Sequence, residues 1–256
     1  MPAVAALLDS RAALGALRRS LPKGAAPVLA CRTGAGLERA LGGRLLEAVV
    51  CGARAARRLD LGSLRARFPG IPLVAYGVFR SEDAETILAW NRLPVAVILI
   101  EGVDDAVAGD LVMRHSVSAR RRAVLADAPK ALRLTEPLQQ ATWDRLTRGA
   151  GRPPGTARLA RDMGLSREHL SRQFGAGGAP NLKRVTDFLS VLAALSLLSN
   201  PAYGVEQAAR LLRFSTPSHL RAMVRRITGL GIREAQGLGE REVLGRFVRN
   251  GARSRL

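Results

Sequence analysis

Thr156–Phe174 reads T-A-R-L-A-R-D-M-G-L-S-R-E-H-L-S-R-Q-F, and Val205–Ile227 reads V-E-Q-A-A-R-L-L-R-F-S-T-P-S-H-L-R-A-M-V-R-R-I. Each is a short helical pattern, a tight turn and a second helical pattern. In the first, Leu159, Ala160 and Met163 give the leading helix a core face, and Thr156 is expected to cap it. Gly164 supplies the turn, because glycine takes positive φ without steric cost. Ser166 caps the following helix, whose Leu170 and Phe174 face inward with Leu165. That leaves Arg167, Glu168, Ser171 and Arg172 outward. In the second copy Ala208, Ala209 and Leu212 pack, and Arg213 stands where the turn glycine would be. Thr216-Pro217 is a cap followed by proline at the first helical position. Leu220, Val224 and Ile227 face inward, while Ser218, His219, Arg221, Arg225 and Arg226 face out. Between the copies, Leu182–Leu198 is an apolar helix that Asn200-Pro201 stops.

Charge points the same way. The 256-residue chain carries a formal net charge of +19, nearly all from arginine; its only lysines are Lys23, Lys130 and Lys183. Residues 1–114 hold 15 Lys and Arg against 11 Asp and Glu, a net of +4, whereas residues 115–256 hold 25 against 10, a net of +15. The excess sits with the helical repeat, as binding to a phosphate backbone requires. Double-stranded DNA is the expected partner. The candidate DNA-binding set is Ser166, Arg167, Glu168, His169, Ser171, Arg172, Thr216, Ser218, His219, Arg221 and Arg225.

Upstream, Val4–Leu8, Val28–Cys31, Leu45–Cys51, Pro72–Phe79 and Val95–Ile100 are apolar runs. Helical stretches Arg11–Arg19, Leu37–Leu41, Leu61–Phe68, Glu82–Trp90 and Asp104–Met113 alternate with them. Short Val/Leu/Ile-rich runs between helices predict a doubly wound, five-stranded parallel α/β sheet. An all-α unit, two helix-turn-helix units joined by a long helix, follows it. The expected domains are 1–115 (α/β), a linker at 116–135, the helical domain at 136–240 and a basic tail at 241–256. The linker is expected to hold some helix, and its Arg120-Arg121-Arg122 reads either as a contact to DNA backbone or as a solvated charge cluster. A helix at Glu136–Arg148 opens the helical domain, Gly149–Gly155 breaks it, and Arg246, Arg249, Arg253 and Arg255 mark the tail as a frayed basic end.

Several chemistries are disfavoured. Two cysteines, Cys31 and Cys51, imply no disulfide framework and read as buried strand-end thiols. Gly34-x-Gly36 opens a helix after a strand, but Arg39 stands where a third glycine would complete a dinucleotide fingerprint, so no cofactor is expected. His169 and His219 have no acidic or thiol companions, so no metal is expected; lone His115 reads as a surface or interface residue. No signal peptide stands out, and the longest apolar run, Phe188–Leu198, is too short to span a bilayer. A cytoplasmic, non-enzymatic protein without membrane contact is the expectation.

Two resemblances add to this. Leu165-Ser166-Arg167-Glu168-His169-Leu170-Ser171-Arg172-Gln173-Phe174 resembles the L-S-x-x-x-L-x-R-x-F pattern of AraC/XylS-type transcription regulators. Arg213-Phe214-Ser215-Thr216-Pro217-Ser218-His219-Leu220 resembles in part that family's G-F-S-x-P-S-x-F. Arg213, Ala222 and Ile232 depart from it, and the closing G-x-S-P is eroded to Gly229-Leu230-Gly231-Ile232. The resemblance implies two recognition helices in successive major-groove segments, roughly 34 Å apart. Residues 1–115 resemble a response-regulator receiver domain whose chemistry is gone. Leu8-Asp9 stands at the acidic pair, Cys51-Gly52 at the phospho-acceptor aspartate, Tyr76-Gly77 at the switch Thr/Ser, and Glu101-Gly102 at the lysine. That implies a receiver-like domain without phosphotransfer, serving dimerisation or signal input. An adaptor whose helical module binds DNA only non-specifically is the alternative.

Overall fold

The computed structural model describes residues 2–250. The chain divides into two units. One runs through Arg120 and includes Asn200–Ala202; the other comprises Arg121–Ser199 and continues from Tyr203.

The first unit is α/β. Its elements are β1 (Ala3–Leu7), α1 (Arg11–Ser20), β2 (Val28–Ala30), α2 (Gly34–Gly43), β3 (Leu46–Cys51), α3 (Ala53–Ala56), α4 (Leu61–Arg67), β4 (Leu73–Gly77), α5 (Ala84–Arg92), β5 (Val95–Ile100) and α6 (Ala108–Arg114). The five strands form one sheet in the order β2-β1-β3-β4-β5. Every neighbouring pair is parallel, with Val4 opposite Val28 and Ala48, Val49 opposite Leu73, and Val74 opposite Val97. This is the flavodoxin-like doubly wound order and a receiver-like architecture. β1, β3 and β4 are buried at every residue, which is why they read as unbroken apolar runs. One core joins Val4, Ala6, Val50, Val74, Tyr76 and Leu99 to Leu17 of α1 and Val112 of α6. Gly109 makes the α1–α6 approach possible: a Cβ there would strike the backbone of Ser20 and Leu21. Its N–H instead donates to Ser20 Oγ at 2.8 Å. Polar residues start the helices as the sequence requires, with Ser10, Thr33 and Asp60 each accepting from the backbone N–H three residues on.

The second unit is all-α. α7 (Val117–Val124) leads into it. α8 (Ala128–Ala131), α9 (Pro137–Leu146), α10 (Thr156–Asp162), α11 (Arg167–Phe174), α12 (Leu182–Leu198), α13 (Val205–Leu211), α14 (Pro217–Thr228), α15 (Ile232–Ala235) and α16 (Glu240–Arg249) follow. α12 is buried on nearly every side, including Val185, Phe188, Val191, Leu192 and Leu195, as a helix apolar all round must be.

Three local expectations are corrected. The stretch read as a linker with some helix at 116–135 does hold helices, α7 and α8, but it is packed into the unit, with Leu125, Ala128, Leu132 and Leu134 buried. Within it Arg121 is buried rather than solvated, donating to the Ala150 carbonyl at 2.9 Å and lying 3.5 Å from Glu240. The stretch read as a frayed tail forms α16 as far as Arg249. Phe247 is fully buried and stacks on Phe188 at 4.6 Å between centroids, a burial that contributes about 2 kcal/mol. Arg253 and Arg255 lie outside the described residues. Thr156 is not a cap: Gly155 holds that position, and no side chain caps α10.

Burial also sets an alkaline limit. The Cys51 thiol is pushed from its ordinary 9.0 to about 12, first by burial, and burial likewise raises the Tyr203 phenol from 10.0 to about 12. Both groups hold their protons more tightly folded than unfolded, so their contribution is complete below about pH 9 and is lost as pH rises towards 12. Denaturant midpoints followed by circular dichroism are expected to fall steadily between those limits. Replacing Cys51 by alanine is expected to flatten the fall for the α/β unit.

Candidate nucleic-acid interface

One backbone device closes both helix pairs. After α10, Gly164 adopts φ 69°, and the Leu165 N–H donates to the Ala160 carbonyl at 2.9 Å. After α13, Arg213 adopts φ 57°, and the Phe214 N–H donates to the Ala209 carbonyl at 2.8 Å. Such an end needs a residue in the left-handed region. Glycine takes it freely; a residue with a Cβ does so at a cost of about 1–2 kcal/mol. Neighbours hold Arg213 in place. Arg152 donates to its carbonyl at 3.2 Å and lies over the Phe214 ring, 4.8 Å from the centroid. The second turn is also one residue longer: Ser166 follows Gly164 by two positions, Thr216 follows Arg213 by three. The added residue, Ser215, shares a hydrogen bond with His219 Nδ1 at 2.9 Å.

The second helix of each pair starts alike. Ser166 Oγ accepts from His169 N at 3.1 Å, and Thr216 Oγ1 accepts from His219 N at 3.0 Å. This cap aims the first two turns. In α11, Leu170 and Phe174 are fully buried. Arg167, Glu168 and Arg172 are exposed, and His169 and Ser171 half-buried. In α14, Leu220, Met223, Val224 and Ile227 are buried, and Ser218, His219, Arg221 and Arg225 are exposed. Met223 joins the core unannounced by the sequence reading. Ser166 and Thr216 are exposed too, with one lone pair committed to the cap.

The two faces differ in how free they are. No hydrogen bond or ion pair engages the side chains of Arg167, Glu168 or Arg172 among the described residues. Arg221 is tied to Glu206 at 2.9 Å, and Glu206 is held below the usual carboxylate range by its own backbone N–H and then by Arg221. Free guanidinium groups can grip phosphates or guanine edges, and a free carboxylate can accept from a cytosine amino group.

Other contributors were not read from the sequence. Gln139, buried in α9, donates to the carbonyls of Phe174 at 2.9 Å and Ala176 at 3.1 Å, satisfying the end of α11. Asp187 sits in the second turn of α12 with its side chain 8% exposed and pairs with Arg226 at 2.7 Å and Lys183 at 3.4 Å. A lone acid inside an apolar helix was the available signal.

In the α/β unit, the positions at the carboxyl ends of the strands are occupied from within. Asp9 caps α3, accepting from Arg54 N at 3.0 Å and Ala55 N at 2.8 Å. A Cβ at residue 52 would run into that carboxylate. Tyr76 is buried and donates to Asp105 at 2.6 Å. Burial first, then that bond, raises its pKa, while the same bond lowers that of Asp105. Glu101 accepts from Ser10 Oγ at 2.7 Å. No group of three or more candidate metal-ligating side chains occurs among the described residues. Nor is any helix among them long and apolar enough to cross a membrane.

No protein-family model matches the sequence, and no curated protein matches it. Among solved structures, full-length FixJ from B. japonicum is similar at 15% identity and a TM-score of 0.37, over 90% of this chain and 98% of that one. At that distance the likeness adds nothing to what the sheet order already defines.

The turn geometry makes opposite predictions for equivalent sites. Arg213→Gly is expected to stabilise the helical unit by about 1 kcal/mol, and Gly164→Ala, with open space around it, to destabilise it by about 1–2 kcal/mol. Urea denaturation of the two variants checks both signs.

Proposed function

We propose that the chain is a sequence-specific, DNA-binding transcription regulator of the AraC/XylS type, a cytoplasmic binding protein rather than an enzyme. The observation that carries this reading is the doubled construction of the helical unit: two left-handed closures, two capped second helices, and on each an exposed polar face that includes arginine, Arg167 and Arg172 on α11 and Arg221 and Arg225 on α14. Arginines supply salt-dependent affinity for phosphates, and Arg167, Glu168, Arg172, Ser218 and Arg221 read base edges. α11 carries most of the specificity, because its cations are unengaged while Arg221 must leave Glu206 to reach DNA.

In the same reading the α/β unit is a receiver-like module without phosphotransfer. Asp9 spends its carboxylate on the α3 backbone and fills the space of a side chain at position 52. The unit acts instead in homodimerisation or signal input. Val78, Ile98, Ile100 and Val103, at the carboxyl ends of β4 and β5, are 39–75% exposed, a concentration of apolar surface that favours a protein contact.

Binding to a selected duplex across a salt series tests the regulator. Arg172→Ala is expected to lower affinity about tenfold and to relax base preference. Equal affinity for all sequences would favour the non-specific adaptor instead. Acetyl phosphate is expected to leave no aspartyl phosphate, and a phosphoryl adduct released by alkali and hydroxylamine would sink the assignment of the first unit. In sedimentation, Ile100→Glu is expected to shift the chain towards monomer.

A further inference from the structure

The two recognition helices share one hollow. Arg167 and Ser171 of α11 line it from one side and Arg226 of α14 from the other, while Lys183, Arg184 and Asp187 of α12 complete it around about 400 Å³. Four cations there face a single carboxylate. The Asp187 side chain is 8% exposed, whereas its partners Arg226 and Lys183 are 54% and 76% exposed. The carboxylate is therefore inside and the positive charge outside.

We propose that this hollow seats a backbone phosphate of bound DNA, and that Asp187 is an internal counterion competing with that phosphate for Arg226 and Lys183. The inference rests on the DNA-binding reading above. DNA that lies along both recognition helices carries its backbone across the span between two major-groove segments, and that span is the hollow. A guanidinium has donors on more than one edge, so Arg226 can keep Asp187 on its inner side and offer its outer side to a phosphate. The buried negative charge weakens that offer, since it opposes any anion brought to the same cations. Asp187 thereby holds affinity below what the cations alone would give. It does so without regard to sequence, because a phosphate carries no base information.

The test is salt-dependent binding of the full chain to two duplexes, one selected and one scrambled. Asp187→Asn is expected to bind both about three- to fivefold tighter, with a steeper log–log salt slope, by at most the roughly 0.9 that full neutralisation of one phosphate brings. Lys183→Gln, which changes an exposed side chain and leaves the core intact, is expected to weaken both equally and make the slope shallower. Unchanged or weaker binding by Asp187→Asn with a native circular dichroism spectrum overturns the proposal. If Asp187→Asn does not fold, Lys183→Gln decides alone, and unchanged binding by it overturns the proposal. These shifts in a chain that does not distinguish the two duplexes would uphold the phosphate seat while refuting base reading. A chain that binds neither duplex refutes both.

Discussion

The helical unit depends on burying α12 on all sides. A 17-residue helix whose residues from Phe188 onward are nearly all apolar is stable only when other helices cover it. α13, α14 and α16 do so, and Phe247 stacking on Phe188 closes the far side. With α12 in place, the pairs α10–α11 and α13–α14 are each closed, α13 and α14 against α12 and α11 against α9. Their second helices can then show polar turns to solvent, because their apolar faces are already spent. One residue resists this logic. Asp187 occupies a nearly buried position on a helix otherwise devoted to packing, and it is tolerated because cations reach it from its own helix and from α14.

The second constraint is the left-handed residue between helices. A chain leaving one helix and entering another at a sharp angle needs a positive φ at a single position. Gly164 meets that need at no steric cost. Arg213 meets it under strain, held by Arg152 at its carbonyl and over the next ring. An arginine at that point is no sign of a lost turn, since the closing hydrogen bond from Phe214 is as short as that from Leu165. The unit that looks eroded in sequence keeps its backbone geometry, and its real difference is the engagement of Arg221 by Glu206.

Much of this was legible. Apolar runs of four to eight residues between amphipathic stretches mark parallel strands, because a strand covered on both faces needs no alternation. Ser166 and Thr216 are legible as caps, because a hydroxyl on an extended residue has a backbone N–H three positions on within reach; the same reading misplaced a cap at Thr156, and the caps at Ser10 and Thr33 emerged only from the fold. The candidate face on α11 follows from the same period that buries Leu170 and Phe174. Less legible were the segments 116–135 and 240–249. Their composition is basic and broken by small residues, and their few apolar side chains look incidental until the rest of the unit surrounds Leu125, Leu132 and Phe247.

The sequence by itself determined most of the local elements, both closures and the Ser166 and Thr216 caps, since each is decided by residues within about six positions. Tertiary structure alone decided what each charged side chain is doing. Asp9 caps a helix 45 residues away, Arg121 reaches Ala150, Arg221 reaches Glu206, and Asp187 holds Arg226. Electrostatic partnership is a matter of distances of a few ångströms between residues remote in sequence, and no periodicity records it. The repeat was visible from the start, while the difference between a free arginine and an engaged one appears only when the chain is folded.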